Sequence, residues 1–227
     1  MSFDPVRPSG MPGRDCPRCP RLVAFRQAWR QSEPDWFNAP VDSFGPSDAR
    51  LLIVGLAPGL RGANRTGRPF TGDYAGDLLY ATLTEFGFAR GHYAASVNDG
   101  FELLDCRITN AVRCVPPDNK PTPQEITHCR DFLKATIDEM NNLRAVVALG
   151  RIAHESFVQV SGAQRSQFPF AHGRVHVLAA LTLLDSYHCS RYNTNTGVLT
   201  PQMFRDVIAQ ARKLIDAQPQ SVFAATP

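Results

Sequence analysis

An acid inside a glycine-rich stretch, a histidine ahead of a polar run, and a spaced set of cysteines are where this chain could do chemistry. Asp73 is the only acid between Gly55 and Gly76, in GLAPGLRGANRTGRPFTGDYAG, a stretch holding six of the sixteen glycines. His188 precedes Ser, Arg, Tyr, Asn and Thr residues in HCSRYNTNTG. A carboxylate can offset developing positive charge, and histidine is the side chain suited to proton and charge work near neutral pH. Spaced glycines permit positive φ and close approach of backbone to a ligand. Among them Phe70 offers a stacking face, and Arg61, Arg65 and Arg68, joined by Arg191 in the later loop, offer positive charge for a polyanionic partner. Nucleotide fingerprints do not fit. The phosphate loop needs Gly-Lys-Ser or Gly-Lys-Thr and this stretch has no lysine, while the tight three-glycine dinucleotide spacing is absent.

The six cysteines divide by spacing. Cys16 and Cys19 form one Cys-x-x-Cys pair, and Cys114 and Cys129 flank VPPDNKPTPQEITH. A four-cysteine zinc site typically shows two short knuckles, whereas iron–sulfur clusters accept longer spacings. The pattern favours an iron–sulfur cluster, with zinc and unliganded thiols as alternatives. Cys106 and Cys189 read as small buried residues. No apolar run approaches the roughly 18 residues needed to span a bilayer, and no signal-peptide core follows the N-terminus, so the chain reads as cytoplasmic. Charge of +3 is only mildly basic, and 227 residues with 43% apolar content suit one domain. Residues 1–15 read as an N-terminal extension and 218–227 as a flexible tail.

The elements that must position these groups follow from periodicity. Leu51 to Val54 is a short apolar run that reads as a buried parallel strand, and Asp77 to Leu83 has helical spacing. Ordinary strand-to-helix loops take about two to six residues, so the long glycine loop between them implies function. Leu22, Phe25 and Trp29 predict the apolar face of a helix over residues 20–32. A second strand is centred on Arg107 to Val112, with Asn110 toward its carboxyl end, where open α/β sheets bind ligands. Thr122, Pro123 and Glu125 spell a capped helix start, and that helix is expected to run to about Asn141. Further strands are expected at Arg144 to Leu149 and Arg174 to Leu178, and helices at Arg151 to Gln159 and Pro201 to Ile215.

Taken together, the glycine loop with GLAPG and NRTGRPFTGD, the segment ITNAVRCVPPDNKPTPQE with its following cysteine, and HCSRYNTNTG resemble the family 5, or type B, uracil-DNA glycosylases. The resemblance runs from Cys16 to the last helix. It implies a three-layer αβα sandwich around a short central parallel sheet, and a 4Fe-4S cluster held by Cys16, Cys19, Cys114 and Cys129. It also implies a monomer that excises uracil, and other damaged bases such as hypoxanthine, from DNA. Related enzymes often carry an acid or amide beside the first-motif proline, but here Leu56 and Ala57 stand there, which shifts the burden to Asp73.

On this resemblance Asp73, His188 and Asn110 are catalytic, the first facing an oxocarbenium-like state and the second the departing base. Phe70 would stack on the flipped base, Asn110 would bond its edge, and Gly55, Ala57, Pro58 and Gly59 would line the pocket. Asn193 would brace the site, and Arg191 and Tyr192 would fill the gap left in the duplex. The readings from other classes are an iron–sulfur electron carrier and a non-catalytic nucleic-acid-binding module. Neither gives Phe70 or Asp73 a role.

Overall fold

The computed structural model describes residues 10–217. The expected tail at 218–227 and the first nine residues of the expected extension lie outside the described residues. At the centre is β1 (Leu51–Gly55), all five of its residues buried. It pairs in parallel with β4 (Cys106–Asn110) on one side and β5 (Ala145–Leu149) on the other. Beyond β5 lies β7 (Leu181–Ser186), also parallel, and then β6 (Val175–Leu178), which gives the order β4-β1-β5-β7-β6. Two short strands, β2 (Ala89–Arg90) and β3 (Glu102–Leu103), form a separate antiparallel pair.

Alternation along the strands sorts side chains into two cores. Leu51, Ile53 and Val147 face α3 (Tyr74–Glu85) and α7 (Pro201–Ala217), where Leu79, Leu83, Phe204 and Ile208 meet them. Leu52, Val54, Val146 and Ala148 face α4 (Pro123–Asp138) and α5 (Arg151–Val160), meeting Leu133 and Phe157. Each fully buried aliphatic side chain contributes about 1.5–3 kcal/mol, so a strand apolar on both faces holds both helical layers. The chain leaves β1 toward β4 on one side and later returns to β5 on the other. Loops therefore part at the carboxyl end of β1, the place where open α/β sheets bind ligands.

The capped start of α4 is present as read. Thr122 Oγ1 accepts from the Glu125 amide at 3.3 Å, and Glu125 Oε2 accepts from the Thr122 amide at 2.8 Å. Glu125 also holds Arg21 of α1 (Pro20–Ser32), tying the N-terminal helix to the body.

Three expectations are corrected. The segment expected as the fourth strand of a parallel sheet, Arg174 to Leu178, is a strand but forms the antiparallel edge β6, and the fourth parallel strand is the unexpected LTLLDS of β7. The two lie two residues apart and read as one apolar stretch, which hid the hairpin. The buried stripe of α1 is Leu22 and Arg26, while Phe25 and Trp29 are half-buried, Trp29 stacking on Trp36 at 5.4 Å. The glycine loop also contains one helical turn, α2 (Ala63–Thr66), and α3 begins at Tyr74 with Asp73 as its N-cap.

Candidate active site

An open cleft of about 810 Å³ lies over the carboxyl ends of β1 and β4, lined by Ala57, Pro58, Gly59, Arg61, Phe70, Asp73, Asn110, His188 and Arg191. Register builds its floor: Gly55 pairs with Asn110 at the matching ends of β1 and β4. A Cβ on Gly55 would collide with Asn110 Oδ1 and come within 2.8 Å of the Phe70 ring, so only glycine lets these two side chains approach the strand end. Asn110 is 3% exposed, and its Oδ1 is buried without a hydrogen-bond partner. An orphaned acceptor costs about 1–3 kcal/mol unless something fills it.

Phe70 forms one wall. Its φ of 51° is rare for a bulky residue, and its surroundings hold it there: Tyr93 Oη donates to the Phe70 carbonyl at 3.2 Å. A side chain on Gly76 would collide with that same carbonyl. The His188 ring packs roughly parallel to Phe70, with centroids 5.9 Å apart. His188 lies two residues past β7, and Asn193 Nδ2 donates to its carbonyl at 2.8 Å. Burial lowers its pKa to about 4, so at neutral pH the imidazole is uncharged and keeps one ring N–H to donate.

Asp73 stands on the cleft rim. Its Oδ1 accepts from the Gly76 amide at 3.2 Å, capping α3, and a Cβ on Gly62 would come within 2.5 Å of its Oδ2, so the carboxylate lies against that backbone. Desolvation raises its pKa, the backbone hydrogen bonds of the cap oppose that shift, and Asp77 adds to it.

Not every expected residue joins the cleft. Arg68 is buried at 6% exposure and forms a two-point ion pair with Asp99 at 2.9 and 2.8 Å, so it is removed from the DNA-contacting set. Its Nε also donates to Thr71, and the pair anchors the glycine loop. The Arg68 guanidinium holds the Asp99 carboxyl well below the usual carboxylate range. Arg65 is exposed beside a separate depression near Asp35 and Val97. Tyr192 is 74% exposed outside the cleft lining, whereas Arg191 lies over the Tyr74 ring at 5.2 Å on the rim. Asn193 braces His188 from behind and does not line the cleft.

Sequence reasoning missed Tyr74 and Asn119, both of which line the cleft. Asp118 and Asn119 hold consecutive positive φ values of 54° and 56°. The available signal was Asp-Asn between prolines, since these two types tolerate the left-handed region best.

The four expected cysteines gather around one small pocket, which Arg26 and Phe132 also line. Among the described residues, the cluster of His, Cys and carboxylate ligand atoms lying within 4.8 Å of one another contains none of these cysteines. Arg26 Nη1 donates to Cys114 Sγ at 3.5 Å and the Arg113 amide to Cys129 Sγ at 3.2 Å. Arg26 is 2% exposed, and among the described residues no carboxylate pairs with it. A buried cation facing thiols fits an anionic group held by thiolates. Without such a group, burial pushes Cys19 and Cys129 up to about 11 and Cys114 to about 12, with neighbouring thiols adding to the shift.

Residues 42–212 match the family model described as the uracil DNA glycosylase superfamily. A type-5 uracil-DNA glycosylase of Thermus thermophilus is 44% identical over 88% of this chain and 93% of its own length. Proteins of the same description are 42% identical in Mycobacterium bovis, over 88% of this chain and 78% of theirs, and 38% identical in Pyrobaculum aerophilum, over 87% and 88%. With a cleft at the carboxyl end of β1 and a family match that spans both the glycine loop and His188, this chain belongs to the type-5 uracil-DNA glycosylases of that superfamily.

Proposed function

We propose that this protein excises uracil from DNA by hydrolysing the N-glycosidic bond, leaving an abasic site, and that hypoxanthine and other damaged bases are further substrates. The observation that carries the reading is the buried, unpartnered Oδ1 of Asn110 on the floor of a cleft walled by Phe70. That oxygen can accept the N3 hydrogen of a flipped uracil while the amide nitrogen donates to a ring carbonyl, and the base stacks on Phe70. As the bond from the sugar to the base breaks, the electron pair leaves with the base. Positive charge then grows on the sugar, facing the Asp73 carboxylate. His188, neutral at pH 7, donates a hydrogen bond to the departing base anion, and water adds to the sugar carbon, its proton passing to solvent while the base anion takes one up, so that the products are the free base and the abasic sugar.

A 4Fe-4S cluster fits the pocket of Cys16, Cys19, Cys114 and Cys129, where it would supply a fixed cross-link between the N-terminal segment and the body. Cys114 is four residues beyond Asn110, so this cross-link holds the strand extension that forms the cleft floor. Arg61 and Arg191, on the rim, would meet backbone phosphates, and Tyr192 would enter the gap in the duplex. The deciding experiment is incubation with a duplex carrying one uracil, followed by alkaline cleavage of abasic sites. Strand scission at the uracil is expected, and none in a uracil-free duplex. Intact uracil-containing DNA after long incubation of iron-loaded protein would refute the reading. Iron analysis tests the cluster, with about four irons per chain expected and stoichiometric zinc counting against it.

A further inference from the structure

Away from the cleft lining, His154 of α5, His176 of β6 and Asp185 of β7 form a buried cluster, with His154 at 1% and Asp185 at 0% exposure. His154 Nδ1 lies 2.6 Å from Asp185 Oδ1, and its Nε2 lies 2.7 Å from the Phe168 carbonyl oxygen. A carbonyl only accepts, so Nε2 carries a hydrogen. Asp185 Oδ2 meets His176 Nε2 at 3.0 Å and accepts from the Ala171 amide at 3.1 Å, which leaves Oδ1 to face His154 Nδ1. With Nε2 committed to that carbonyl, Nδ1 meets the carboxyl group at hydrogen-bond distance, the geometry that suits an imidazolium held on a carboxylate. The two histidines address different oxygens of one carboxyl group. Their ligand atoms lie within 4.8 Å of one another, but the 2.6 Å between His154 Nδ1 and Asp185 Oδ1 is a hydrogen-bond separation, shorter than two ligands of one ion would keep.

The network reaches the strand end that carries His188. Through Phe168 and Ala171, His154 and Asp185 pin the loop that leads into β6. His172 of that loop accepts from the Tyr187 amide at 3.1 Å and stacks on the Tyr187 ring at 5.0 Å. Tyr187 is the residue before His188, and the Gly150 amide, at the start of α5, donates to the Ser186 carbonyl at 2.7 Å.

We propose that His154 is a positioning residue: held as an imidazolium on Asp185, it fixes the Ser186–Tyr187 backbone and through it the aim of the His188 ring. This rests on the reading of His188 as donor to the departing base. The groups that face His154 are Asp185 of β7, His176 of β6 and the Phe168 carbonyl, with Glu155 beside it on α5. Burial disfavours its charge, but the Asp185 hydrogen bond and charge and the Phe168 carbonyl outweigh burial and leave its pKa raised.

Two measurements test this. In the wild-type protein at pH 6.5, where an ordinary histidine is half-charged, nitrogen-15 NMR should show both ring nitrogens of His154 protonated. A neutral ring overturns the proposal, as does a His154 signal that moves on adding Zn²⁺ or EDTA. In single-turnover excision, His154→Leu should lose about 10- to 100-fold, the scale of a misplaced catalytic group. The same substitution made on His188→Ala should lose nothing further, since its effect passes through His188. Equal losses in both backgrounds would mean that His154 merely supports the fold and would overturn the proposal. His154→Gln replaces the leucine variant if that protein does not fold. Failure of the excision reading would appear separately, as inactivity of the wild type.

Discussion

Replacing Asp73 with asparagine separates two jobs that one carboxylate holds. As N-cap of α3 it accepts the Gly76 amide, and as an acid lining the cleft it would, on the proposed function, face the sugar of a bound nucleotide. Asparagine caps as well as aspartate, so that part of the change is worth only a few tenths of a kcal/mol. Loss of negative charge at the helix N-terminus adds about 0.3–1 kcal/mol. The catalytic part is larger. A carboxylate about 4 Å from a developing cation gains about 4 kcal/mol at an effective dielectric of about 20, the setting that suits a desolvated rim. At 1.36 kcal/mol per decade this is about a thousandfold in rate.

Single-turnover cleavage of a uracil duplex should therefore fall by about three decades in Asp73→Asn. Its unfolding free energy should stay within about 1 kcal/mol of wild type, and its affinity for abasic-site DNA should be nearly unchanged. Asp73→Ala is the control, because it also loses the cap, at about 1 kcal/mol. A rate within tenfold of wild type in Asp73→Asn would refute the charge argument. It would leave Asp73 as a capping residue and make Asn110 the leading candidate for holding the water.

Other consequences follow from the same geometry. With His188 at about 4, the excision rate should show no histidine titration near 6.5. Its acid limb should lie above the 3.8 of an ordinary aspartate, in the direction burial shifts Asp73, and this displacement should be lost in Asp73→Asn, as a pH–rate profile would reveal. The unfolded His188 binds its proton near 6.5 and the folded one only near 4, so this residue's contribution to stability is full above 6.5 and lost as pH falls between them; denaturation midpoints in wild type and His188→Ala measure it. Arg68→Met strands the buried Asp99 carboxylate and should cost about 3–5 kcal/mol in urea denaturation, whereas a wild-type midpoint would mean that the pair does not anchor the loop. Salt dependence of abasic-site binding should flatten by about one in slope for Arg61→Ala or Arg191→Ala, and an unchanged slope removes that residue from the phosphate contacts.

Much of the fold was legible because its signals are local. Apolar runs marked β1 and β5, and Thr122 with Glu125 marked the start of α4. The misreadings share a cause, which is that partners distant in sequence decide the outcome. The β6–β7 hairpin hid inside one apolar stretch, and only pairing with β5 separates its strands. Arg68 reads as surface charge until Asp99, thirty-one residues on, takes its guanidinium. Arg26 falls on the buried face of α1 because the cysteine pocket, filled by a segment far along the chain, receives it. Asn119 escaped notice because its role depends on a backbone conformation, φ 56°, that composition only permits.

The cleft floor and the cysteine pocket are two ends of one short segment. After Asn110 closes β4, the Ala111 amide donates to the Gly55 carbonyl and the Val112 amide to the Leu56 carbonyl, both at 2.9 Å, so the chain follows the glycine loop outward before reaching Cys114. Ala57 of the cleft lining packs against the cluster of Cys16, Leu22, Val112 and Cys129. Arg113 between them is fully buried, its Nη2 donating to Thr136 Oγ1 at 2.6 Å and its Nη1 to Ser43 Oγ at 3.1 Å, which fixes the segment sideways against α4 and the loop before β1. Asn110 therefore has little freedom to turn its orphaned oxygen toward a protein donor. On the proposed function, the rigidity that leaves this acceptor without a protein partner would keep it available for the edge of a base.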